Sequence, residues 1–340
     1  MSRVPPTPPR RGVRIAGTGS FLPERRLTNA DLEKLMDTSD EWIVQRTGVR
    51  ERRIIDKSKG ESCRTISAAA LRAALADAKL KPTDLDLLIV ATVSMEMTCP
   101  SVSCRVLAEL GAGHAGAIDM TAACCGWVFA LNTAHDLIRM GSYSTVGVVG
   151  CDTLSELMDY STEGRGCAII FGDAAGAAVL RATDDPAKGI LAQAMHADGH
   201  GWQDLYIPRA ERDFPPGVEN HARKMGIMQM NGREVFKFAV GTFGDLIDET
   251  LQKAGLTPDQ VDHYVCHQSN ARILESARER FGLPREKVYV NIDRVGNTSS
   301  GSVPVCLDEL RKGGRVKDGQ VVMFVAFGGG LTWGSSLWQL

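Results

Sequence analysis

No two cysteines in this sequence stand in a C-x-x-C spacing, and no histidine joins them at the separations that a tetrahedral site needs. That absence argues against zinc, whose ligands come in short-range pairs. The nine cysteines (63, 99, 104, 124, 125, 151, 167, 266 and 306) form no regular framework. An odd count without a secretory signal reads as reduced thiols in the cytoplasm. A surplus of charge is missing too: 39 Lys and Arg against 41 Asp and Glu leave a net charge of −2. No global basic field is present to recruit nucleic acid or an anionic membrane. No apolar run approaches the about 20 residues of a membrane span. The opening MSRVPPTPPRRG is basic and proline-rich without an apolar signal segment, so residues 1–11 read as a disordered tail. What remains is an ordinary soluble composition, 44% hydrophobic and 24% charged over 340 residues, enough for two packed layers or two subdomains.

The chain is organised around AIDMTAACCGWVFA at 117–130. The stretch begins as a buried strand, passes through small residues and continues as an apolar helix. A thiol where a strand turns into a helix faces free backbone N–H groups and the positive end of the helix dipole, which lower its pKa. Cys124 or Cys125 is thereby a candidate nucleophile; the competing reading is two small buried hydrophobes.

Elsewhere helical patterns alternate with short apolar runs. Strands are expected at Val13–Gly17, Asp86–Thr92, Thr145–Gly150, Asp262–His267, Val288–Ile292 and Val321–Ala326, with apolar segments at Gly166–Gly172 and Ala177–Leu180. Helices are expected at Ala30–Met36 (capped by Asn29), from Ser39 to Gly48, at Ile66–Ala78, Ser101–Leu110, Gly232–Ala254, Asn270–Phe281 and Ser302–Lys312. This is a layered α/β pattern. The halves also resemble each other: residues 73–92 align with 249–268 at an offset of 176 (258 − 82), and 117–124 align with 291–298 at 174 (293 − 119). TVGVVGCDT at 145–153 parallels VVMFVAFGGG at 321–330, in the same order. A duplicated α/β unit follows, divided by the polar stretch TDDPAKG at 183–189.

Duplication places the strand end at His267 and the glycine turn at Asn297–Thr298 near the pseudo-symmetric mate of the cysteine turn, beside the carboxyl ends of strands, where ligands collect. A thiolate attacks a carbonyl carbon, while an imidazole N–H and an amide N–H donate to an oxygen gaining charge. The FGGG run at 327–330 adds unobstructed backbone N–H groups. Arg46, Arg50, Arg52 and Arg53 beside Trp42 form either a solvated basic face or a phosphate-binding mouth with a stacking aromatic.

These motifs together resemble the β-ketoacyl-[acyl carrier protein] synthase III family, along nearly the whole chain from Gly12 to Leu340. The residues that carry the likeness are TSDEWIVQRTGVRERRI (38–54), DMTAACCGWVFAL (119–131), GRGCAIIFGDAAGAAVL (164–180), HQSNARI (267–273), GNTSSGSVP (296–304) and AFGGGLTWGS (326–335). The resemblance implies a thiolase-like α-β-α-β-α fold of two duplicated halves, 12–184 with the cysteine and 185–340 with the His and Asn. It implies Cys124 as nucleophile, His267 and Asn297 as its partners, and an oxyanion hole from the N–H groups of Cys124 and Gly329. Trp42, Arg46 and Arg165 match residues that hold the coenzyme A nucleotide; Gly232, Phe236 and Asn270 match its pantetheine tunnel. Lys237 and Arg272 match the surface that docks the acidic carrier protein. The implied reaction starts type II fatty-acid synthesis: acyl-CoA, acetyl-CoA being the expected primer, loads the cysteine, and malonyl-[acyl carrier protein] decarboxylates and condenses with it. No metal or redox cofactor is implied, and a cytoplasmic homodimer is typical.

Departures from the family pattern are Trp127 for Phe, Cys125, Ser269 and Gly301. By the resemblance, Cys99 stands where a bulky aromatic often limits the acyl pocket, which would admit longer or branched primers, whereas Trp127 would narrow the cavity, so primer length is open. Three rival readings remain: a secondary-metabolite ketosynthase or acyltransferase with the same three residues, a Cys–His–Asn hydrolase, and a carrier-binding module without activity.

Overall fold

The computed structural model describes residues 11–218 and 224–340; the tail expected over 1–11 lies outside them except for Arg11. Nine strands matter for the architecture. In the first half they are β1 (Gly12–Phe21), β2 (Leu87–Ala91), β3 (Gly116–Met120), β4 (Thr145–Thr153) and β5 (Asp173–Thr183). In the second they are β6 (Gly189–Ala197), β7 (His263–Cys266), β8 (Val321–Gly328) and β9 (Thr332–Gln339). The first sheet runs β1-β5-β4-β2-β3, with β2 parallel to both β3 and β4 and the other pairs antiparallel. The second runs β7-β8-β9-β6, with one parallel pair, β7 with β8, against two in the first sheet.

Helices α1 (Asp40–Thr47), α2 (Cys63–Asp77), α3 (Val102–Leu110), α4 (Gly126–Arg139), α5 (Gly232–Ala254), α6 (Ala271–Arg280) and α7 (Ser302–Lys312) complete the frame. Helix α2 packs outside the first sheet and α5 outside the second, while α4 and α7 lie between the sheets. Five layers result. The central apolar cluster joins Trp127, Leu131 and Ile138 of α4 and Val303 and Leu307 of α7 to Val148 of β4 and Phe324 of β8. Strands buried on both faces explain the unbroken apolar runs: every residue of β2 and β4 is buried.

The duplication is built into the coordinates. β4 and β8 begin 176 positions apart (321 − 145), as do β2 and β7 (263 − 87) and α4 and α7 (302 − 126). Sequence expectations fail in two places. The strand expected at Val288–Ile292 reduces to one parallel bridge, Tyr264 with Val288. The Gln268 side chain takes the backbone groups that a ladder would use: its Nε2 donates to Tyr289 O (3.0 Å), and its Oε1 accepts from Asn291 N (2.9 Å). The helix expected at Ala30–Met36 spans only Asn29–Leu32, with Thr28 as its cap.

Trp127, fully buried, donates from Nε1 to Val148 O at 3.3 Å and meets Phe324 edge-to-face at 5.6 Å, so one side chain ties α4 to both sheets. Trp127→Ala is expected to lower the free energy of unfolding by about 3–5 kcal/mol, measured by urea titration.

Candidate active site

Cys124 sits at the corner between β3 and α4. The chain passes through Ala123 in left-handed backbone (φ 45°), makes the short turn Ala123–Cys125 and enters α4 at Gly126. The second half builds the same corner: Ser299 has φ 49°, Ser299–Gly301 forms the turn, and α7 starts at Ser302. Left-handed non-glycine residues are uncommon and concentrate at functional sites.

The corners are pressed into each other. A Cβ on Gly150 of β4 would lie 2.2 Å from the Ser300 carbonyl oxygen, and one on Gly328 of β8 would lie 2.8 Å from both N and Cβ of Cys124. Asp152, fully buried, braces the junction. One carboxylate oxygen accepts from Val93 N (2.8 Å), Thr92 Oγ1 (3.1 Å) and Ser94 Oγ (3.2 Å), the other from Ser300 N (3.1 Å) and Ser300 Oγ (2.8 Å).

Burial pushes the Cys124 thiol up to about 12; a hydrogen bond from Ser299 opposes this and the Asp152 charge adds to it. The lowering expected from the helix terminus is thus met by an opposite shift, raised by desolvation of the buried thiol. Cys125 is fully buried in the central apolar cluster, its thiol held well above the ordinary range by burial.

His267 follows β7, its backbone N–H donating to Val325 O at 2.8 Å. Its ring is buried, meets Phe327 edge-to-face and holds Nδ1 2.7 Å from Ser302 Oγ. Burial lowers its pKa to about 3, so the imidazole is neutral. Asn297 is pinned by two backbone hydrogen bonds to the segment at Ile170–Gly172. Its Oδ1 accepts from Ser299 N at 2.8 Å, which fixes the amide and leaves Nδ2 without a partner among the described residues.

Cys124, His267 and Asn297 line one cavity of about 560 Å³, together with Trp42, Arg46, Gly232, Phe236, Asn270 and Arg272. Arg46 and Arg165 place their guanidinium carbons 5.1 and 5.2 Å from the Trp42 ring centre. Arg165 also donates to Asp37 O. Asn270 does two things: it lines the cavity and caps α6, accepting from Arg272 N (2.9 Å) and donating to Arg46 O (3.0 Å). Arg272 lies over the Phe236 ring at 5.2 Å, whereas Lys237 is exposed and borders neither cavity.

A second cavity, about 730 Å³, meets the first at Cys124, Phe171 and Leu205 and extends past Val93, Met95, Leu157, Ile207 and Met228. Gly329 borders it, while Gly328 borders the first. Neither Cys99 nor Trp127 lines either cavity in the single chain, so the opposed effects expected of them on pocket size do not arise there. Sequence reading missed Arg233 in the first cavity, and Ser299, Ser302 and Asp152 around the corners. The two serines stand inside GNTSSGSVP, where hydroxyls beside glycine carry the same signature as turn residues.

The layered fold, with a buried thiol, a neutral imidazole and an amide lining one cavity, is that of a condensing enzyme of the thiolase-like class. Residues 118–199 match the family model for 3-oxoacyl-[acyl-carrier-protein (ACP)] synthase III, and residues 251–340 match that for its C-terminal part. The beta-ketoacyl-[acyl-carrier-protein] synthase III of Caldanaerobacter subterraneus is 45% identical over 323 residues, 95% of this chain and 96% of its own. The crystal structure of the Aquifex aeolicus 3-oxoacyl-[acyl-carrier-protein] synthase III superposes with a TM-score of 0.88 at 41% identity, covering 97% of this chain and 100% of that one. The priming β-ketosynthase of the R1128 polyketide pathway superposes equally, TM-score 0.88, at 35% identity over 98% of this chain and 97% of its own. The chain belongs to the β-ketoacyl-[acyl carrier protein] synthase III family.

Two outcomes test the site. Alkylation of Cys124 by iodoacetamide, followed at its own peptide by mass spectrometry, should speed up about tenfold per pH unit from pH 6 to 9. A plateau near neutrality would show a resting thiolate instead. Gly328→Ala should slow Cys124 acylation at least about tenfold, because the new methyl group needs the space of the cysteine's own Cβ; stopped-flow acylation from acyl-CoA measures it.

Proposed function

We propose that the protein carries out the decarboxylative condensation of an acyl-CoA primer, acetyl-CoA first among them, with malonyl-[acyl carrier protein]. The product is a β-ketoacyl-[acyl carrier protein], and the step opens type II fatty-acid synthesis. The observation that carries this reading is that Cys124, His267 and Asn297 border one cavity whose outer wall holds Trp42 and Arg46. Those outer residues offer a stacking surface and a cation for a nucleotide phosphate.

In the first half-reaction Cys124 sulfur bonds the acyl carbon, the carbon–sulfur bond to CoA breaks, and the thiol proton leaves with the CoA sulfur. The N–H groups of Cys124 and Gly329 serve as the oxyanion hole. Trp42, Arg46 and Arg165 hold the nucleotide, and Gly232, Phe236 and Asn270 line the pantetheine path. In the second half-reaction the malonyl carboxylate leaves as CO2. His267 and Asn297 donate to the thioester oxygen while it carries enolate charge; the carbanion bonds the acyl carbon, the carbon–sulfur bond to Cys124 breaks, and the released sulfur takes a proton from solvent to return to the thiol. Neutral donors suffice for that enolate, so the scheme requires no metal or redox group. The second cavity beyond Cys124 receives the acyl chain, and Arg272 with Lys237 presents positive charge to the carrier protein.

The β3 edge of the first sheet is unpaired among the described residues and Ile118 on it is 45% exposed, so the same reading includes a homodimer closed along that edge. No helix among the described residues is long and apolar enough to cross a membrane, and a cytoplasmic enzyme is the matching setting. The halves 12–184 and 185–340 are read as the duplicated units. The R1128 relative keeps one alternative in view, a priming ketosynthase of a secondary-metabolite pathway. Both use the same acyl-cysteine and differ in the acceptor.

Intact-protein mass spectrometry after incubation with a panel of acyl-CoAs tests the scheme. An acyl adduct should form on the native chain and on Cys125→Ser, and be absent from Cys124→Ser. Label retained without Cys124 sinks the nucleophile assignment. His267→Ala and Asn297→Ala should each cut CO2 release from malonyl-[acyl carrier protein] by about 10²–10³, as removal of an oxyanion donor does.

A further inference from the structure

His267 has two ring nitrogens and one hydrogen-bond partner among the described residues, Ser302 Oγ at 2.7 Å from Nδ1. A neutral imidazole carries its proton on one nitrogen, and the partner of the other nitrogen decides which. Ser302 Oγ also accepts from the backbone N–H of Gln268, at 3.4 Å. Its own hydrogen is therefore free to go to Nδ1, its other partner among the described residues. Nδ1 then acts as acceptor, and the ring proton sits on Nε2. Ser302 borders neither cavity, so Nδ1 is held on the inner side of the ring and Nε2 is the nitrogen on the cavity side.

The duplicated fold supplies a comparison within the same molecule. Ser302 and His267 correspond to Gly126 and Ala91, each 176 positions earlier (302 − 126 and 267 − 91). A Cβ on Gly126 would lie 3.0 Å from the Ala91 Cβ, so the two places touch in the first half as well. There they hold the smallest side chains, with no polar contact between them. Only the half that carries the histidine places a hydroxyl at the start of the helix. Helix geometry alone therefore does not call for a serine at this corner.

We propose that Ser302 is a positioning residue for the condensation: its hydroxyl donates to Nδ1 and locks His267 as the Nε2–H tautomer, the form that donates to the thioester oxygen of the malonyl arm. The proposal rests on the reaction assigned above. With the proton on Nδ1 the ring would turn a lone pair toward an oxygen gaining negative charge, opposing the enolate it should stabilise. An imidazole held in the wrong tautomer is known to disable acyl-transfer sites even when its position is kept.

The test uses full-length protein with histidine rings labelled by 15N, in the native form and as Ser302→Ala and Ser302→Thr. The His267 resonances, identified by their loss in His267→Ala, should show a protonated Nε2 and a bare Nδ1 in the native chain. Ser302→Ala should shift them to a mixture of tautomers, and Ser302→Thr, which keeps the hydroxyl, should restore the native pattern. In kinetics, Ser302→Ala should lower kcat for CO2 release from malonyl-[acyl carrier protein] about tenfold to hundredfold, less than loss of the whole donor. KM should stay within about twofold and Cys124 acylation should be largely spared, which also reports that the variant folds. A native spectrum with the proton on Nδ1, or Ser302→Ala releasing CO2 at the native rate, overturns the proposal. A native chain with the proton on Nε2 but no acyl transfer to Cys124 would sustain the Ser302 lock while sinking the assigned reaction.

Discussion

Everything about the site depends on two strand-to-helix corners meeting face to face with no space between them. Gly150 against the Ser300 carbonyl and Gly328 against Cys124 are contacts that a single methyl group would break. Asp152 then ties the corners by hydrogen bonds, one oxygen toward its own half and the other toward Ser300 of the second. A buried carboxylate is costly to desolvate, and its pKa is accordingly raised by burial, but all its contacts are satisfied. The junction is thus stiff because its polar groups have fixed partners and its glycines leave no room to slide. Stiffness here has a chemical use, since donors aimed in advance at a developing charge need no reorganisation when it appears.

That constraint also explains the division of labour between the halves. Both corners have a left-handed residue followed by a short turn and a long helix, Ala123 before α4 and Ser299 before α7. One corner carries the sulfur; the other contributes Asn297, with His267 from the neighbouring strand end. An attacking atom and the groups that stabilise its target must approach from different sides. A duplicated unit meeting itself across a central helical layer provides two such sides at no extra length of chain.

Much of this was legible in the sequence, and the reasons are specific. The constant offset between 73–92 and 249–268 reports real equivalence because helix, proline turn and strand recur at α2–β2 and α5–β7. Cys124 and Asn297 stand out in the sequence because each sits in a short run of small residues, and His267 because it ends an apolar strand; the fold brings all three to one cavity. Other features left no such trace. The second cavity draws on residues 93–96, 153–157, 205–209 and 226–228, which no periodicity connects. The strand expected at Val288–Ile292 had the right apolar content; the competing acceptor and donor of one buried Gln268 decided against it. Asn270 shows the same ambiguity, since capping a helix and facing a tunnel leave identical marks in a sequence. The direction of the thiol's pKa is not legible in the sequence, because a helix terminus is visible there and the depth of burial is not.

Burial acts on the two central groups in opposite directions, and the outcome bears on the chemistry. It raises Cys124 and lowers His267, so both are uncharged in the resting molecule. A cysteine hydrolase works from the reverse arrangement, in which a nearby imidazole takes the thiol proton and an Asn orients the ring. Here the ring's inner nitrogen belongs to Ser302 and the Asn297 oxygen belongs to Ser299 N, so Asn297 does not orient His267. Two neutral donors from the second half and a neutral thiol from the first suit the proposed reaction, whose charge passes to a substrate oxygen as neutral CO2 departs and then to the released cysteine sulfur. The low-dielectric setting that makes the thiol reluctant to ionise is the same one that strengthens those donors when the enolate forms. An ion pair at rest would weaken that advantage, because a charged His267 would be stabilised before the substrate arrived and would have less to gain from the enolate.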